Sequence, residues 1–222
     1  MTTQAGSLET IVPGLHATSP EPLSFAPDTL IRAFLLEREH GNVLIYSNSA
    51  LEGDAKALSA TGVERQYLNH WHEAMFDSSW ISERLDAPLF CHEADEAEVV
   101  TRRHVRGTFS IRHVLHDDLE VIPIPGHTPG ATAYLWDSGS HRALFTGDSL
   151  YLKDGEWIAA VLDSSDLDAY VKSLELIREL EFDLLVPWAA GAGDLPYALT
   201  DPRDARRRLD RVIDRLRRGE RS

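Results

Sequence analysis

The chain has 222 residues, of which 43% are hydrophobic and 26% charged, a balance typical of globular proteins rather than disordered ones. Its net charge of −14 is uneven: residues 201–222 hold nine arginines and five acidic residues, so residues 1–200 carry −18. An acidic body argues against nucleic acid as the main partner. With Cys91 as the only cysteine, an internal disulfide is excluded.

The first residues show neither the basic nor the apolar segment of a signal peptide. No apolar run reaches the roughly 20 residues that a membrane-spanning helix needs. We therefore expect a cytoplasmic protein without a membrane partner.

The N-terminal half is expected to begin as an antiparallel meander and to continue as alternating strands and helices. The Pro- and Ser-containing stretch 19–27 is predicted to be a loop. Asp77, Ser78 and Ser79 offer N-caps for a helix that ends near Leu85. The predicted strands are 9–17, 30–37, 43–46, 66–69 and 87–91, and the other predicted helices are 52–60 and 92–100.

The C-terminal half is predicted to be β-rich and then helical. Its expected strands are 109–115, 119–124, 131–137, 142–147, 156–161 and 183–186. A helix from Ser165 or Asp166 to Leu180 and another over about 202–218 carry apolar residues at helical spacing. We expect a single domain over 1–222, with 201–222 forming a C-terminal amphipathic helix that docks on the surface.

Three short stretches place metal-binding side chains near the ends of predicted strands. His70 and His72 are two residues apart after an apolar segment, and in an extended chain both would point the same way. His127 lies in the turn Pro125–Gly130, and Asp148 follows the apolar strand that ends at Gly147. Histidine and aspartate are common zinc ligands, and two imidazoles as close as those of His70 and His72 can converge on one metal ion.

These motifs resemble those of the metallo-β-lactamase superfamily, over residues from about 10 to 200. Gly126-His127-Thr128-Pro129-Gly130 and Thr146-Gly147-Asp148 are similar to two motifs of that family, and His70-x-His72 is similar to the first half of its His-x-His-x-Asp-His motif. The resemblance implies an α+β fold, a four-layer αββα sandwich of two mixed β-sheets with helices outside. It also implies that the first metal site comprises His70, His72 and His127, with Asp148 as the shared carboxylate.

The chain departs from the family where the second metal would bind. Ala74 and Met75 stand where the family has Asp-His, and Ala189 stands where it has a histidine after Pro-Gly. Tyr46 replaces an aspartate that often ends the early strand. Because alanine and methionine cannot replace oxygen or imidazole ligands, we expect a degenerate member with one metal at most. Trp71, Met75 and Trp188 are candidates to fill the vacated space.

Three functions are compatible with the remaining site. The leading hypothesis is a hydrolase of a small-molecule ester, thioester or lactone that uses one zinc ion, with Asp148 as fourth ligand or water-orienting base. The second is a non-catalytic binding module, in which the cofactor would be one ion or none. The third is a mononuclear iron oxygenase, since His70, His127 and Asp148 match the iron ligands of persulfide dioxygenases in the same superfamily.

Several other residues have simpler interpretations. Glu73 is expected to point away from the metal, by strand alternation. His113 and His116, although at ligand-like spacing, are predicted to be solvated, and Cys91 is predicted to be a buried, unreactive thiol. Substrate specificity is expected to reside in the loops 19–27, 73–80, 151–157 and 188–199.

Overall fold

The computed structural model describes residues 8–76 and 78–220. Strands and helices are numbered in chain order. The first sheet has seven strands, antiparallel up to Val43–Ile45 and parallel after it. Its strands in spatial order are β1 (Glu9–Val12), β2 (Leu15–Ala17), β5 (Phe34–Leu36), β6 (Val43–Ile45), β7 (Arg65–Tyr67), β8 (Leu89–His92) and β9 (Val105–Phe109).

The second sheet has six strands, and the pairing of its fourth and fifth strands is parallel. In spatial order these are β10 (His113–Leu115), β11 (Leu119–Pro123), β12 (Thr132–Asp137), β13 (Arg142–Gly147), β16 (Leu184–Pro187) and β18 (Ala198–Leu199). A third, five-stranded sheet adjoins them. It consists of β15 (Glu156–Ile158), β14 (Tyr151–Lys153), β17 (Ala189–Gly191), β4 (Ala26–Ile31) and β3 (Glu21–Leu23).

Alternation of side chains along the second sheet explains the layering. On one face, residues such as Tyr134, Phe145 and Val186 join the core cluster that contains Phe34 and Ile45 of the first sheet. The opposite face packs against helices. The described α-helices are α1 (Ala55–Thr61), α2 (Trp80–Arg84), α3 (Glu93–Val99), α4 (Leu167–Arg178) and α5 (Pro202–Arg217). The predicted α+β αββα sandwich is confirmed.

Helix α5 docks on the body, as its apolar stripe predicts. Asp201 caps its first turn by accepting the backbone N–H groups of Arg203 and Asp204. Its inward face is buried beside α4 and consists of Ala205, Leu209, Val212, Ile213 and Leu216. Many of its arginines have acidic or carbonyl partners, among them Arg215 on the Trp157 carbonyl and Arg208 on Asp204. This helix covers one side of the core, and nearby acidic groups pair with much of its positive charge.

Several predicted boundaries were wrong where the chain turns between sheets. The segment 9–17 is two strands, because Pro13-Gly14 makes a turn with Gly14 at φ +80°. The expected loop 19–27 contains β3 and the start of β4, so the third sheet was missed. The expected strand 109–115 instead joins β9 in one sheet to β10 in the other. The expected helix cap at Asp77 lies outside the described residues.

Within the described part of the chain, no helix has both the length and the apolar character needed to cross a bilayer.

Candidate metal centre

Three loops at one edge of the two large sheets bring the candidate ligands together. His70 follows the end of β7 with extended backbone, and His72 lies in the 3₁₀ turn Trp71–Met75. His127 lies in the connection between β11 and β12, and Asp148 comes directly after β13. The expectation of an extended His-x-His segment was therefore wrong after His70. The two imidazoles converge because a tight turn brings them together.

The four side chains form a compact group able to hold a metal ion, with one ligand atom from each lying within 4.8 Å of the others. Nδ1 of His72 lies 3.2 Å from Nε2 of His127. Oδ2 of Asp148 lies 3.5 Å from Nε2 of His70 and 3.6 Å from Nε2 of His127. Four ligands about 2.0–2.1 Å from a tetrahedral zinc ion lie about 3.3 Å apart, so these separations fit a metal.

An unpartnered buried nitrogen gives a second test of that fit. His70 is 1% exposed, and its Nε2 makes no hydrogen bond of good geometry, since Oδ2 of Asp148 lies 3.5 Å away. A buried polar atom normally has a partner, because leaving it unpaired costs about 1–3 kcal/mol. Since Nε2 points at Asp148 beside two other histidines, a coordinated cation would satisfy it.

The other ring nitrogen of His70 is held by protein groups. Its Nδ1 lies 3.0 Å from Oε1 of Glu73 and 3.0 Å from Oδ1 of Asn69. Glu73 is fully buried, and the same Oε1 accepts the backbone N–H groups of Asn69 and His70. Glu73 therefore contacts the side of His70 that faces away from the other candidate ligands, and it points away from the metal as predicted. The 3₁₀ turn, and not strand alternation, places it there. A carboxylate in this position orients a metal-binding histidine.

The ring of His127 is oriented by a backbone carbonyl group. Its Nδ1 lies 2.7 Å from the carbonyl of Ala160. The hydroxyl of Tyr170, on α4, donates to the carbonyls of Asp148 and Ser149 and so anchors the segment that carries the carboxylate. Gly147 precedes it at φ +55°, where a Cβ would also lie 1.9 Å from Oδ1 of Asn69. Only glycine fits this junction.

The charge states of the four groups follow from these contacts. Burial alone lowers the pKa of His70, but the neighbouring carboxylates of Asp148 and Glu73 outweigh burial and raise it to about 10. Burial, together with repulsion from His70 and His127, lowers the pKa of His72 to about 3. Burial and the charge of His70 likewise lower the pKa of His127. At neutral pH His70 of the metal-free site is therefore charged, with a proton on each ring nitrogen.

Metal binding is expected to release about one proton at neutral pH, because the ligand His70 must give up its proton. Affinity should then rise about tenfold per pH unit between about pH 6 and about pH 9. In the metal-free protein the raised pKa of His70 makes the stability of the fold decrease, rather than increase, with rising pH. It stabilises the fold below the ordinary pKa of 6.5, and this contribution is lost as the pH rises through about 10.

Calorimetric titration with Zn²⁺ in two buffers of different ionisation enthalpy measures the number of protons released. A pH-independent affinity with no proton release would contradict the assignment of the proton to His70.

The positions matching the family's second site hold no ligands. Ala74 and Ala189 are buried, whereas Met75 is 58% exposed and cannot fill the vacated space. Trp188, by contrast, is buried beside the candidate ligands. It is 3% exposed, its ring lies edge-on to His70 at 5.3 Å and to Phe76 at 5.5 Å, and its Nε1 donates to the Ser47 carbonyl. Trp71 is half-buried and packs on His72, with ring centroids 4.0 Å apart.

Tyr46 serves the fold rather than the metal. It is fully buried at φ +72°, and its hydroxyl donates to the Val186 carbonyl and accepts the N–H of Gly147. Both partners lie at the ends of neighbouring strands, so Tyr46 fastens the first sheet to the second. Burial raises its pKa well above the usual range, which keeps the phenol neutral.

A cleft of about 430 Å³ opens beside Asp148. Much of its wall is apolar, and Phe25, at the tip of the β3–β4 hairpin, is 83% exposed. Among the described residues that line the cleft there is no lysine or arginine. Those residues are Leu23, Phe25, Ala26, Thr29, Asp148, Tyr151, Ala159, Ala160, Val161, Leu162 and Ala189.

The remaining sequence predictions concern residues away from the site. His116 is exposed, in agreement with its prediction, and His113 is half-buried. Cys91 is 2% exposed, and burial raises its pKa to about 12, so it is unreactive as predicted. The sequence did not point to the contacts that orient the ligands, such as those of Glu73 with His70 and of the Ala160 carbonyl with His127. These contacts depend on the folded structure, for which the sequence carries no local signal.

Comparison with solved structures places the fold among metallo-β-lactamases. A metallo-β-lactamase from Pontibacter korlensis is 16% identical, with 95% of this chain and 98% of that chain covered at a TM-score of 0.70. An archaeal metallo-β-lactamase superfamily protein from Sulfolobus tokodaii is 17% identical (94% and 95% covered, TM-score 0.65). The metallo-β-lactamase FIM-1 from Pseudomonas aeruginosa, in its mono-zinc form, is 14% identical (94% and 95% covered, TM-score 0.70).

No protein of curated function matched the chain. The sequence model of the metallo-β-lactamase superfamily matches residues 55–189, which include all four residues of the candidate metal group. The chain therefore belongs to the metallo-β-lactamase superfamily.

Proposed function

We propose that this protein is a hydrolase that uses one metal ion, most readily zinc, to cleave a small ester, thioester or lactone. The observation that carries the proposal is the convergence of three imidazole nitrogens and one carboxylate oxygen beside an open cleft. His70, His72 and His127 would hold the ion, with Asp148 as fourth ligand or water-orienting base. A divalent cation held there lowers the pKa of a water molecule and polarises a carbonyl group.

The protein side chains supply the rest of the proposed mechanism. Asp148 faces both the histidines and the cleft, with its side chain 18% exposed. Burial raises its pKa, but the neighbouring histidines outweigh burial and lower it, so it is ionised at neutral pH. An ionised carboxylate between the histidines and the cleft can orient a water molecule toward a substrate and accept a proton from that water.

The cleft supports an uncharged substrate with an apolar group. Its walls include Leu23, Phe25 and Val161, and its described lining has no cationic side chain to pair with a carboxylate or phosphate. Burying apolar substrate atoms there contributes about 25 cal/mol per Å². We therefore propose a small-molecule substrate. We also propose that the chain is a single domain over 1–222 that acts in the cytoplasm without nucleic-acid or membrane partners.

A single ion is favoured because the second site lacks donors and space. Ala74 and Ala189 offer no ligand atom, and Trp188 packs against His70. FIM-1, a neighbour in fold, was solved with one zinc, so the fold tolerates this state.

Hydrolysis of a panel of aryl esters, thioesters and lactones of increasing chain length tests the proposal. We expect turnover that rises with chain length, disappears on chelation and returns when Zn²⁺ is added. A zinc-loaded protein that hydrolyses none of them would support the non-catalytic module instead. Fe²⁺ retained after anaerobic purification, with O₂ consumption on a persulfide, would support the oxygenase, for which His70, His127 and Asp148 supply two histidines and one carboxylate.

A further inference from the structure

Asp95 is a buried carboxylate outside the group of candidate ligands. It lies in the first turn of α3 and is 2% exposed. Rather than capping its own helix, it accepts three hydrogen bonds from two other segments. Its Oδ2 accepts the backbone N–H of Trp71 at 3.0 Å and the hydroxyl of Thr128 at 2.8 Å. Its Oδ1 accepts the backbone N–H of Gly130 at 2.8 Å.

These donors belong to the two loops that carry the histidines. Trp71 lies between His70 and His72, and Thr128 follows His127 directly. One carboxylate therefore fixes both loops relative to each other. Hydrogen bonds to a charged acceptor are worth about 1.5–3 kcal/mol each, roughly twice a neutral one. The link supplements the hydrogen bonds between Asn69 and Thr132, which join the same two segments beside the histidines.

Close packing at Gly130 shows how tightly the link is built. A Cβ on Gly130 would lie 2.6 Å from Cγ and 2.7 Å from Oδ1 of Asp95. Any side chain at this position would push the carboxylate away from its donors.

We propose that Asp95 is a positioning residue of the metal site, which clamps the His70–His72 turn to the His127 loop. The role rests on the proposed metal-binding function. Asp95 is neither a member of the candidate metal group nor a lining residue of the cleft. It acts through the backbone of Trp71 and through Thr128, so its loss should change the site's geometry and affinity.

Titration of the full chain with Zn²⁺ alone, and the visible absorption of the Co²⁺-loaded protein, test this role. Asp95→Asn keeps the shape of the side chain but turns one acceptor into a donor that faces another donor. We expect Zn²⁺ binding about 10–100-fold weaker and an altered Co²⁺ spectrum. Thr128→Val removes one of the three donors and should weaken binding less, and Gly130→Ala should act in the same direction as Asp95→Asn.

Asp54→Asn is the matched control. Asp54 is 1% exposed, and its two oxygens accept the N–H and the hydroxyl of Ser19 at 2.7 and 2.9 Å. This variant should lose stability while keeping the wild-type Zn²⁺ affinity and Co²⁺ spectrum. A wild-type protein that binds Zn²⁺, with an unchanged Kd and spectrum in Asp95→Asn and Thr128→Val, would overturn the role of Asp95 alone. A wild-type protein that binds no Zn²⁺ would overturn the proposed function and this role together.

Discussion

Replacing His127 with alanine is expected to cause loss of the metal on dialysis against a competing chelator that leaves the wild-type protein loaded. A four-ligand zinc site is worth about 10–16 kcal/mol, or about 2.5–4 kcal/mol per ligand. Losing one ligand should therefore weaken affinity on the order of a hundredfold to a thousandfold. His127 contributes Nε2, 3.2 Å from Nδ1 of His72 and 3.6 Å from Oδ2 of Asp148. Dialysis followed by elemental analysis measures the retained metal.

His113→Ala is the control, because His113 lies on β10 and makes its side-chain hydrogen bond to the Ile111 carbonyl. It should keep the wild-type metal content. A folded His127→Ala protein that retains one ion per chain would show that the metal is bound elsewhere.

Trp188→Ala is expected to destabilise the metal-free protein by about 3–5 kcal/mol, the usual cost of deleting a buried tryptophan. The ring packs on His70 and Phe76, and its Nε1 donates to the Ser47 carbonyl at 2.9 Å. The cavity would adjoin His70, yet the bound metal should still number one, because Ala74, Met75 and Ala189 supply no ligands. Urea unfolding measures the stability, and elemental analysis measures the metal.

Trp157→Ala gives a matched comparison on the far side of the second sheet, where Trp157 is 1% exposed and stacks on Phe182. It should lose similar stability without altering the metal site. Two ions bound by Trp188→Ala would mean that the tryptophan, rather than the missing ligands, limits the site to one.

The pattern of strands and helices predicted sheets covered by helices, and the resemblance to the metallo-β-lactamase superfamily implied the αββα sandwich and the four-residue group. The strands Leu119–Pro123 and Arg142–Gly147 are apolar and buried along most of their length, and they precede His127 and Asp148 respectively. The third sheet was missed because its strands are short and half-exposed. Glu21–Leu23 and Tyr151–Lys153 span three residues each and carry little periodicity.

The support around the ligands could not be predicted, because it depends on contacts between distant parts of the chain. The contact of Glu73 with His70 requires a 3₁₀ turn where the sequence indicated an extended segment. Asp95 meets Gly130 from 35 residues away, and Tyr46 meets Gly147 from 101 residues away. No local sequence pattern predicts which of these distant residues come into contact.

The number of metal ions per chain tests the central claim most directly. The wild-type protein, purified, loaded with excess Zn²⁺ and then desalted, should contain one zinc per chain by elemental analysis, and none after exposure to a strong chelator. Two zinc ions per chain would contradict the loss of the second site at Ala74, Met75 and Ala189. A chain that retains no metal at all would contradict the assignment of His70, His72, His127 and Asp148 as its ligands.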